Sequence, residues 1–472
     1  MEQPRRTKLV CTIGPSSASL VAELVAAGMD VARLNFSHGT PQTRQAGARA
    51  VRAAAGAAGR NVAILADLAG PKIRLGPLAG GHATLEAGGR FVLRPSGGGT
   101  TGDASGAGVT YRRLATDVRT GDRVLLADGA AELRVAAVDA GGNVVGEIVR
   151  GGTIRSRAGV SVPSDRLSSP ALTAKDRADV PRALALGADW VAQSFVRRAA
   201  DVRELRGLLG PDGPPIVAKI ETRAAIEDFD AILAEVDGVM IARGDMGVEL
   251  PYEEVPIIQK QLVRRALDRG VPSIVATQML ESMVASPRPT RAEASDVANA
   301  VFDGADAIML SGETAIGAFP VLAAEAAARI CRLCEERGAG HLAAGAPPRA
   351  ETDAGALAYA AVTLAGAGRD VVGIACYTRT GRTARILSAL RPRVPIYAFG
   401  PDDTVVRRLG LFHGVIARSC VPPDEAGGRL GLMAWLLGET RAIPAGSPVV
   451  LVASTAEPGT GPNVLEVHRV PG

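Results

Sequence analysis

Short runs of buried-type residues alternate with helical stretches eight times along this chain, and that alternation narrows its fold more than any other feature. The runs are TKLVCTI (7–13), DVARLNF (30–36), NVAILAD (61–67), DWVAQSF (189–195), PIVAKIE (215–221), GVMIARGD (238–245), SIVATQM (273–279) and AIMLSGE (307–313). Between them lie stretches with helical apolar spacing, such as SLVAELVAAG, TAKDRADVPRALALG, RAAIEDFDAILAEV and IIQKQLVRRALDRG. Near-continuous apolar runs mark strands buried on both faces, and eight of them alternating with helices predict a closed parallel (β/α)₈ TIM barrel.

One gap breaks the rhythm. Between the third and fourth runs, EAGGRFVLRP, TGDRVLLADG and DAGGNVVGEIV alternate apolar and polar residues around turn pairs. They predict a small β-barrel lid domain inserted in a barrel loop. Later, HLAAGAPPRAETDAG reads as a linker, and a last α/β segment follows with DVVGIACYT, RILSALR, VPIYAFG and SPVVLVAST. The expected division is a discontinuous catalytic barrel (1–70 and 162–345), a lid (71–161) and a C-terminal α/β domain (346–472).

Composition removes several alternatives. Apolar residues make up 47% of the chain and charged residues 22%, without long single-sign runs, which argues against disorder. No run of about eighteen apolar residues occurs, so no membrane span is expected. The first residues, MEQPRRTKLVCTIG, lack a signal-peptide layout, and the expected location is the cytoplasm. Net charge is only +4 and aromatic residues are 3%, so nucleic acid is not an expected partner. Cys331 and Cys334 form a C-x-x-C inside the helical run AAARICRLCEER, with no second pair to complete a zinc site, and read as helix thiols. Gly97, Gly99 and Gly102 match a dinucleotide-binding spacing but lack the strand–turn–helix context, and read as a turn.

Polar residues recur at the C-terminal ends of the expected strands, where barrel enzymes keep their chemistry. Arg33, Asn35 and Ser37 close the second strand and Asp67 the third. Lys219 and Glu221 close the fifth, Arg243 and Asp245 the sixth, Thr277 the seventh, Ser311 and Glu313 the eighth. Only five lysines exist (Lys8, Lys72, Lys175, Lys219 and Lys260), so a lysine kept in a polar motif stands out. Two carboxylates with positions left for water and substrate oxygens suit Mg²⁺ or Mn²⁺. Arg33 and Arg74 can grip phosphate oxygens in pairs. Cations gathered around a transferring group are what phosphoryl transfer requires. The bland alternative is a ring of ion pairs sealing the barrel mouth.

The segments KLVCTIGPSS, ARLNFSHG, AQSFVRRAADV, KIET, IARGDMGVELP, VATQMLESM, PRPTRAEASDVANAVFDGADAIMLSGETA and NVLEVHRV resemble pyruvate kinase. The resemblance implies transfer of a phosphoryl group from phosphoenolpyruvate to ADP, the last step of glycolysis, by a homotetramer with an allosteric C-terminal domain. It implies that Lys219 stabilises the transition state and that Glu221 and Asp245 bind the metal. Arg33, Lys219, Gly244, Asp245 and Thr277 would contact substrate, with Thr277 near the carbon that gains a proton. Asn35, Phe36, Ser37, His38 and Arg74 fall on the nucleotide and phosphate side, and Asp128 resembles an acidic residue carried over the site by the lid.

Three departures qualify that picture. Where many members have a glutamate in a K⁺-binding motif built on Asn35, Ser37, Asp67 and the backbone of the next residue, this chain has Lys72 in DLAGPKIR. Its ammonium can supply the charge of K⁺, so no K⁺ requirement is expected, with Lys72 and Arg74 counted among the catalytic residues. Ala158 in SRAGV replaces a lysine expected near the nucleotide, which leaves nucleotide preference open. Thr378, Arg379, Thr380, Gly381, Arg382 and Thr383 form a strand-to-helix loop resembling one that binds a phosphorylated effector; a plain structural turn is the alternative. Two other functions use the same barrel: a metal-dependent lyase or aldolase acting through pyruvate enolate, and a catalytically silent regulator.

Overall fold

The computed structural model describes residues 4–127, 129–163, 166–338, 340–342, 352–367, 370–420, 431, 433, 437–438, 443–453 and 463–470. Most of the expected linker, residues 343–351, lies outside them. The eight apolar runs form a closed barrel of parallel strands: Lys8–Thr12, Val31–Asn35, Ala63–Asp67, Trp190–Gln193, Ile216–Ile220, Gly238–Ala242, Ser273–Ala276 and Ala307–Leu310. The eighth closes on the first through the register Lys8↔Ala307 to Cys11↔Leu310.

Each strand alternates its side chains between two cores. Leu9, Ala32, Ile64, Val191, Ala218, Ile241, Val275 and Ile308 face the surrounding helices. Val10, Val31, Leu65, Ala192, Val217, Met240, Ile274 and Met309 fill the interior. The strands are shorter than the apolar runs. In the sixth, the chain leaves the sheet at Ala242, so Arg243, Gly244 and Asp245 occupy the first turn of the helix Arg243–Glu249 rather than the strand end.

The insertion is built of short strands around its own core of Ile73, Leu75, Phe91, Leu93, Leu126, Leu133, Ile148 and Ile154. A six-stranded sheet runs in the order Val160–Ser161, Arg123–Leu126, Ala131–Val138, Val144–Arg150, Arg90–Arg94, Gly106–Gly108. A two-stranded ribbon pairs His82–Leu85 with Gly152–Arg155. The glycine-rich match lies in a turn, with Gly97 at φ 79° and Gly98 at φ 83°, and no helix follows it directly. Two stalks join this lid to the barrel, and both are tied to one buried carboxylate. Asp176 accepts from Gly70 N–H (3.1 Å) on one stalk and from Thr173 N–H (2.9 Å) and hydroxyl (2.6 Å) on the other.

The C-terminal domain has a five-stranded sheet in the order Val415–Ser419, Ile396–Gly400, Gly373–Tyr377, Pro448–Ala453, Val464–Arg469, the last strand antiparallel. It docks against the N-terminal ends of the barrel strands. Arg407 reaches Asp189 (2.9 Å), Arg391 grips Asp306 with both Nη atoms (2.9 and 2.8 Å), and Lys8 Nζ meets the Val415 carbonyl (2.6 Å). Leu409, Leu411 and Phe412 join the same hydrophobic core as the barrel interior, with the Phe412 ring 6.0 Å from that of Trp190. The floor is thereby plugged, and only the opposite end is left open for chemistry. Cys331 and Cys334 are free and buried in the helix Pro320–Arg337.

Candidate active site

The alternation that fills the barrel also aims its polar groups. Arg33 follows Val31 by two residues, Asp67 follows Leu65, Ser194 follows Ala192, and Lys219 follows Val217, so all four point inward at the C-terminal end. They meet there. Arg33 holds Asp67 Oδ2 with Nε (2.7 Å) and Nη2 (2.6 Å), and its Nη1 donates to Thr12 Oγ1 (3.0 Å). Lys219 Nζ lies 2.8 Å from Glu221 Oε1, 2.8 Å from Ser194 Oγ and 3.6 Å from Asp67 Oδ1. Burial alone would lower the lysine's affinity for a proton, but Asp67 and Glu221 outweigh it and hold the ammonium well above its ordinary range. The two carboxylates thus favour the charged ammonium. Asp67 is pressed upward by burial, yet Lys219 and Arg33 keep it below the usual carboxylate value.

Glu221 is 1% exposed. Its Oε2 accepts from Phe195 N–H (2.8 Å), while Oε1, off the hydrogen-bonding line to Lys219, has no hydrogen-bond partner. Burial pushes this carboxyl upward, Lys219 opposes, and nearby Asp245 adds to the rise. A buried carboxylate oxygen that accepts no hydrogen bond, next to a second carboxylate, fits a divalent cation. Among the described residues no group of three or more His, Cys, Asp or Glu side chains gathers for a metal. Two protein carboxylates, with the remaining positions left to water and substrate oxygens, suit a hard ion such as Mg²⁺.

Lys72 Nζ lies 3.6 Å from Asp245 Oδ1, on the side facing the site. Gly244 N–H donates to Thr277 Oγ1 (2.7 Å), and that hydroxyl donates to the Ala276 carbonyl (2.6 Å). Asn35 Oδ1 accepts from Ser37 N–H (2.9 Å). His38 sits at the rim, held below its ordinary value by partial burial and by Arg74, Lys72 and Arg33. Arg74 Nη1 donates to the Arg157 carbonyl (3.1 Å) on the lid. Phe36 is turned into the core beneath the Arg44 guanidinium (4.5 Å), and its carbonyl accepts from Lys175 (2.7 Å). Asp128 lies outside the described residues. The loop Thr378–Thr383 belongs to the other end of the molecule, beyond the barrel floor; there Thr378 Oγ1 accepts from Gly381 N–H (2.9 Å) ahead of the helix Arg382–Ala389.

Sequence reasoning missed Ser194 and Thr12, which inward alternation alone would have marked. It placed Arg243 among the polar residues at the strand ends, where barrel chemistry is kept. Arg243 instead binds the protein: Nη1 reaches Asp296 (2.7 Å) and Gln259 (3.3 Å), and Nη2 reaches the carbonyls of Thr277 (2.7 Å) and Gln278 (3.3 Å).

Comparison with known proteins agrees with this geometry. Residues 4–324 match the model of the pyruvate kinase barrel domain, and residues 355–468 match that of the pyruvate kinase alpha/beta domain. The chain is 43% identical to a pyruvate kinase of Mycobacterium tuberculosis (strain H37Rv) over 475 residues, covering 99% of this chain and 98% of that one. A pyruvate kinase of Geobacillus stearothermophilus is 41% identical over 99% of this chain and 80% of its own. A crystal structure of a pyruvate kinase from Cryptosporidium parvum superposes with a TM-score of 0.88 at 34% identity, covering 99% of this chain and 96% of that one. With both domain models matched and full-length relatives of this identity, the chain belongs to the pyruvate kinase family.

Proposed function

We propose that this protein transfers the phosphoryl group of phosphoenolpyruvate to ADP, giving pyruvate and ATP, with Mg²⁺ or Mn²⁺ held by Glu221 and Asp245. The observation that carries this reading is the buried cluster in which Lys219, paired with carboxylates, stands between Glu221 and Asp67 at the open end of the barrel. When bound, the divalent cation neutralises charge on substrate oxygens. Arg33 is pinned by Asp67 on one edge and offers its remaining N–H donors to the substrate phosphate. Lys219 supplies positive charge where the phosphoryl group passes and where the enolate oxygen is left behind. Thr277, hydroxyl oriented by Gly244 N–H, stands beside the carbon to be protonated. Asn35, Ser37, His38 and Arg74 face the nucleotide, and the lid closes over it to exclude water.

The reaction needs no K⁺ in this reading. Lys72 brings a positive charge to Asp245, and groups that would ligate K⁺ are engaged within the protein: Asp67 with Arg33, Asn35 Oδ1 with Ser37 N–H, and the Leu68 carbonyl with the Ser194 hydroxyl (2.7 Å). Family membership further supports a cytoplasmic homotetramer, which sedimentation velocity reads directly, and an effector loop at Thr378–Thr383. The first measurement is pyruvate formation from phosphoenolpyruvate, ADP and Mg²⁺ in K⁺-free buffer. Strong turnover is expected, and turnover that persists without ADP would point to an enolate lyase. Turnover of the parent only with K⁺ added sinks the K⁺-independent reading; Lys72→Glu should lose activity and partly regain it in K⁺, and full activity of that variant without K⁺ removes Lys72 as the built-in cation.

A further inference from the structure

The turn that follows the fourth strand touches both members of the Lys219–Glu221 pair. Ser194 Oγ accepts from Lys219 Nζ (2.8 Å) and donates to the carbonyl of Leu68 (2.7 Å), on the first stalk of the lid. The next residue, Phe195, adopts φ 55°, a left-handed conformation uncommon outside glycine. Its N–H is thereby turned onto Glu221 Oε2 (2.8 Å). The lid stalk backs this turn closely. Gly70 has φ 66°, and a Cβ placed there would fall 2.7 Å from Phe195 Cδ2 and 3.0 Å from Ser194 Cβ. Ser194 is 3% exposed, so its hydroxyl is committed to protein.

Lys219 has two partners at equal distance, the neutral Ser194 hydroxyl and the charged Glu221 Oε1, both at 2.8 Å. Without the neutral one, the ammonium is left to its carboxylates, Glu221 at 2.8 Å ahead of Asp67 at 3.6 Å, because charge-assisted pairing is the stronger interaction. Glu221 Oε1 is buried and has no hydrogen bond; the ammonium 2.8 Å away meets it by charge alone.

We propose that Ser194 is a positioning residue: it takes the Lys219 hydrogen bond that Glu221 would otherwise accept, so that the ammonium is steered toward the transferring group and Glu221 Oε1 keeps its lone pairs for a divalent metal. Through Leu68 and Gly70 the same turn ties this arrangement to the lid stalk. The proposal rests on the roles of Lys219 and Glu221 given above.

The test is Ser194→Ala in the full-length enzyme, with Mn²⁺ as the probe read by electron paramagnetic resonance alongside steady-state kinetics and thermal melting. Loss of a residue that supports a metal ligand typically weakens metal binding or activity by about 10- to 100-fold. The expected result is Mn²⁺ binding weakened by roughly tenfold or more, kcat reduced by roughly 10- to 100-fold at saturating metal, and the KM for phosphoenolpyruvate little changed. A serine that merely packs would lower the melting temperature and leave Mn²⁺ affinity and kcat of the folded enzyme intact; that outcome overturns the proposal. A fall in kcat with unaltered Mn²⁺ binding overturns it as well, since the hydroxyl would then act on substrate. Should Ser194→Ala not fold, Ser194→Cys keeps the side-chain shape, weakens both hydrogen bonds and reads the same quantities. Glu221→Gln and Lys219→Met separate the levels of failure. If both bind Mn²⁺ and turn over like the parent, the reading of the site fails; if they are impaired and Ser194→Ala is not, only this inference fails.

Discussion

Arg243 stands at the rim of the barrel, where charge alone recommends it for phosphate binding, yet its guanidinium is occupied by protein. Its Nη2 gathers the carbonyls of Thr277 and Gln278, two consecutive non-glycine residues at φ 69° and 55°. Left-handed backbone of this kind costs about 1–2 kcal/mol per residue, so something must hold it. Arg243 does so from a base formed by Asp296 and Gln259 on two neighbouring helices. The adjacent Gly244 N–H orients the Thr277 hydroxyl, so backbone and hydroxyl are fixed from one helix turn. Arg243→Lys keeps the pairing with Asp296 but cannot serve both carbonyls in a planar fork. Steady-state kinetics should show kcat down by roughly tenfold or more, with a smaller change in the KM for phosphoenolpyruvate, because misplacement of an aligned group is felt mainly in the reacting complex. Parental kcat in Arg243→Lys would show that Thr277 holds its place without it.

At the scale of elements, the eight strands were legible because each is an apolar run set between helical periodicities. Their ends were not. A run such as GVMIARGD reads as one extended segment, but the sheet releases the chain at Ala242 and a helix begins at Arg243. Barrel closure decides where each strand stops pairing, and that is a property of the neighbours. The loop Thr378–Thr383 was legible as strand–turn–helix, and Gly381 adopts the left-handed conformation (φ 83°) that such an entry needs. Arg379, Thr380 and Arg382 are exposed there, at the start of the helix Arg382–Ala389. Basic side chains and free N–H groups at a helix start attract phosphate. A screen of AMP and sugar phosphates should find one that lowers half-saturation by phosphoenolpyruvate, and Arg382→Ala should abolish that response while leaving the basal rate unchanged. No response to any of these in the parent enzyme would leave the loop as a structural turn.

Across the whole molecule, the C-terminal domain completes the barrel floor rather than hanging from it. Trp190, inside the barrel, donates from Nε1 to the Arg408 carbonyl (3.1 Å), and Leu409, Leu411 and Phe412 continue the interior core. His413 is buried in this junction. Its backbone N–H donates to Asp306 Oδ1 (3.2 Å), Arg391, Arg6 and Lys8 surround the ring, and Nδ1 has no hydrogen-bond partner. Burial first, then those three cations, hold the imidazole well below its ordinary pKa of 6.5. Below that value the unfolded chain takes up a proton that the folded junction refuses. The stability contributed by neutral His413 is therefore present above pH 6.5 and is lost as pH falls. The loss is at most about 1.4 kcal/mol per pH unit. Urea midpoints at pH 7.5 and 5.5 should converge for His413→Gln relative to the parent; equal drops in both proteins would show that this imidazole carries none of the acid sensitivity.

Strand order, the inserted domain, the α/β class and the polar residues Arg33, Asp67, Lys219, Glu221 and Asp245 followed from the sequence alone. Alternation and periodicity are local properties, and the motifs that carry these residues are contiguous. Which groups finally face one another did not follow. Ser194 between Lys219 and Leu68, Arg243 turned to backbone carbonyls, Phe36 buried under Arg44 and one core shared by barrel and C-terminal domain all join residues distant in sequence. Such pairings are set only when the barrel closes and the domains pack, because no local pattern records which partner a buried polar group will find.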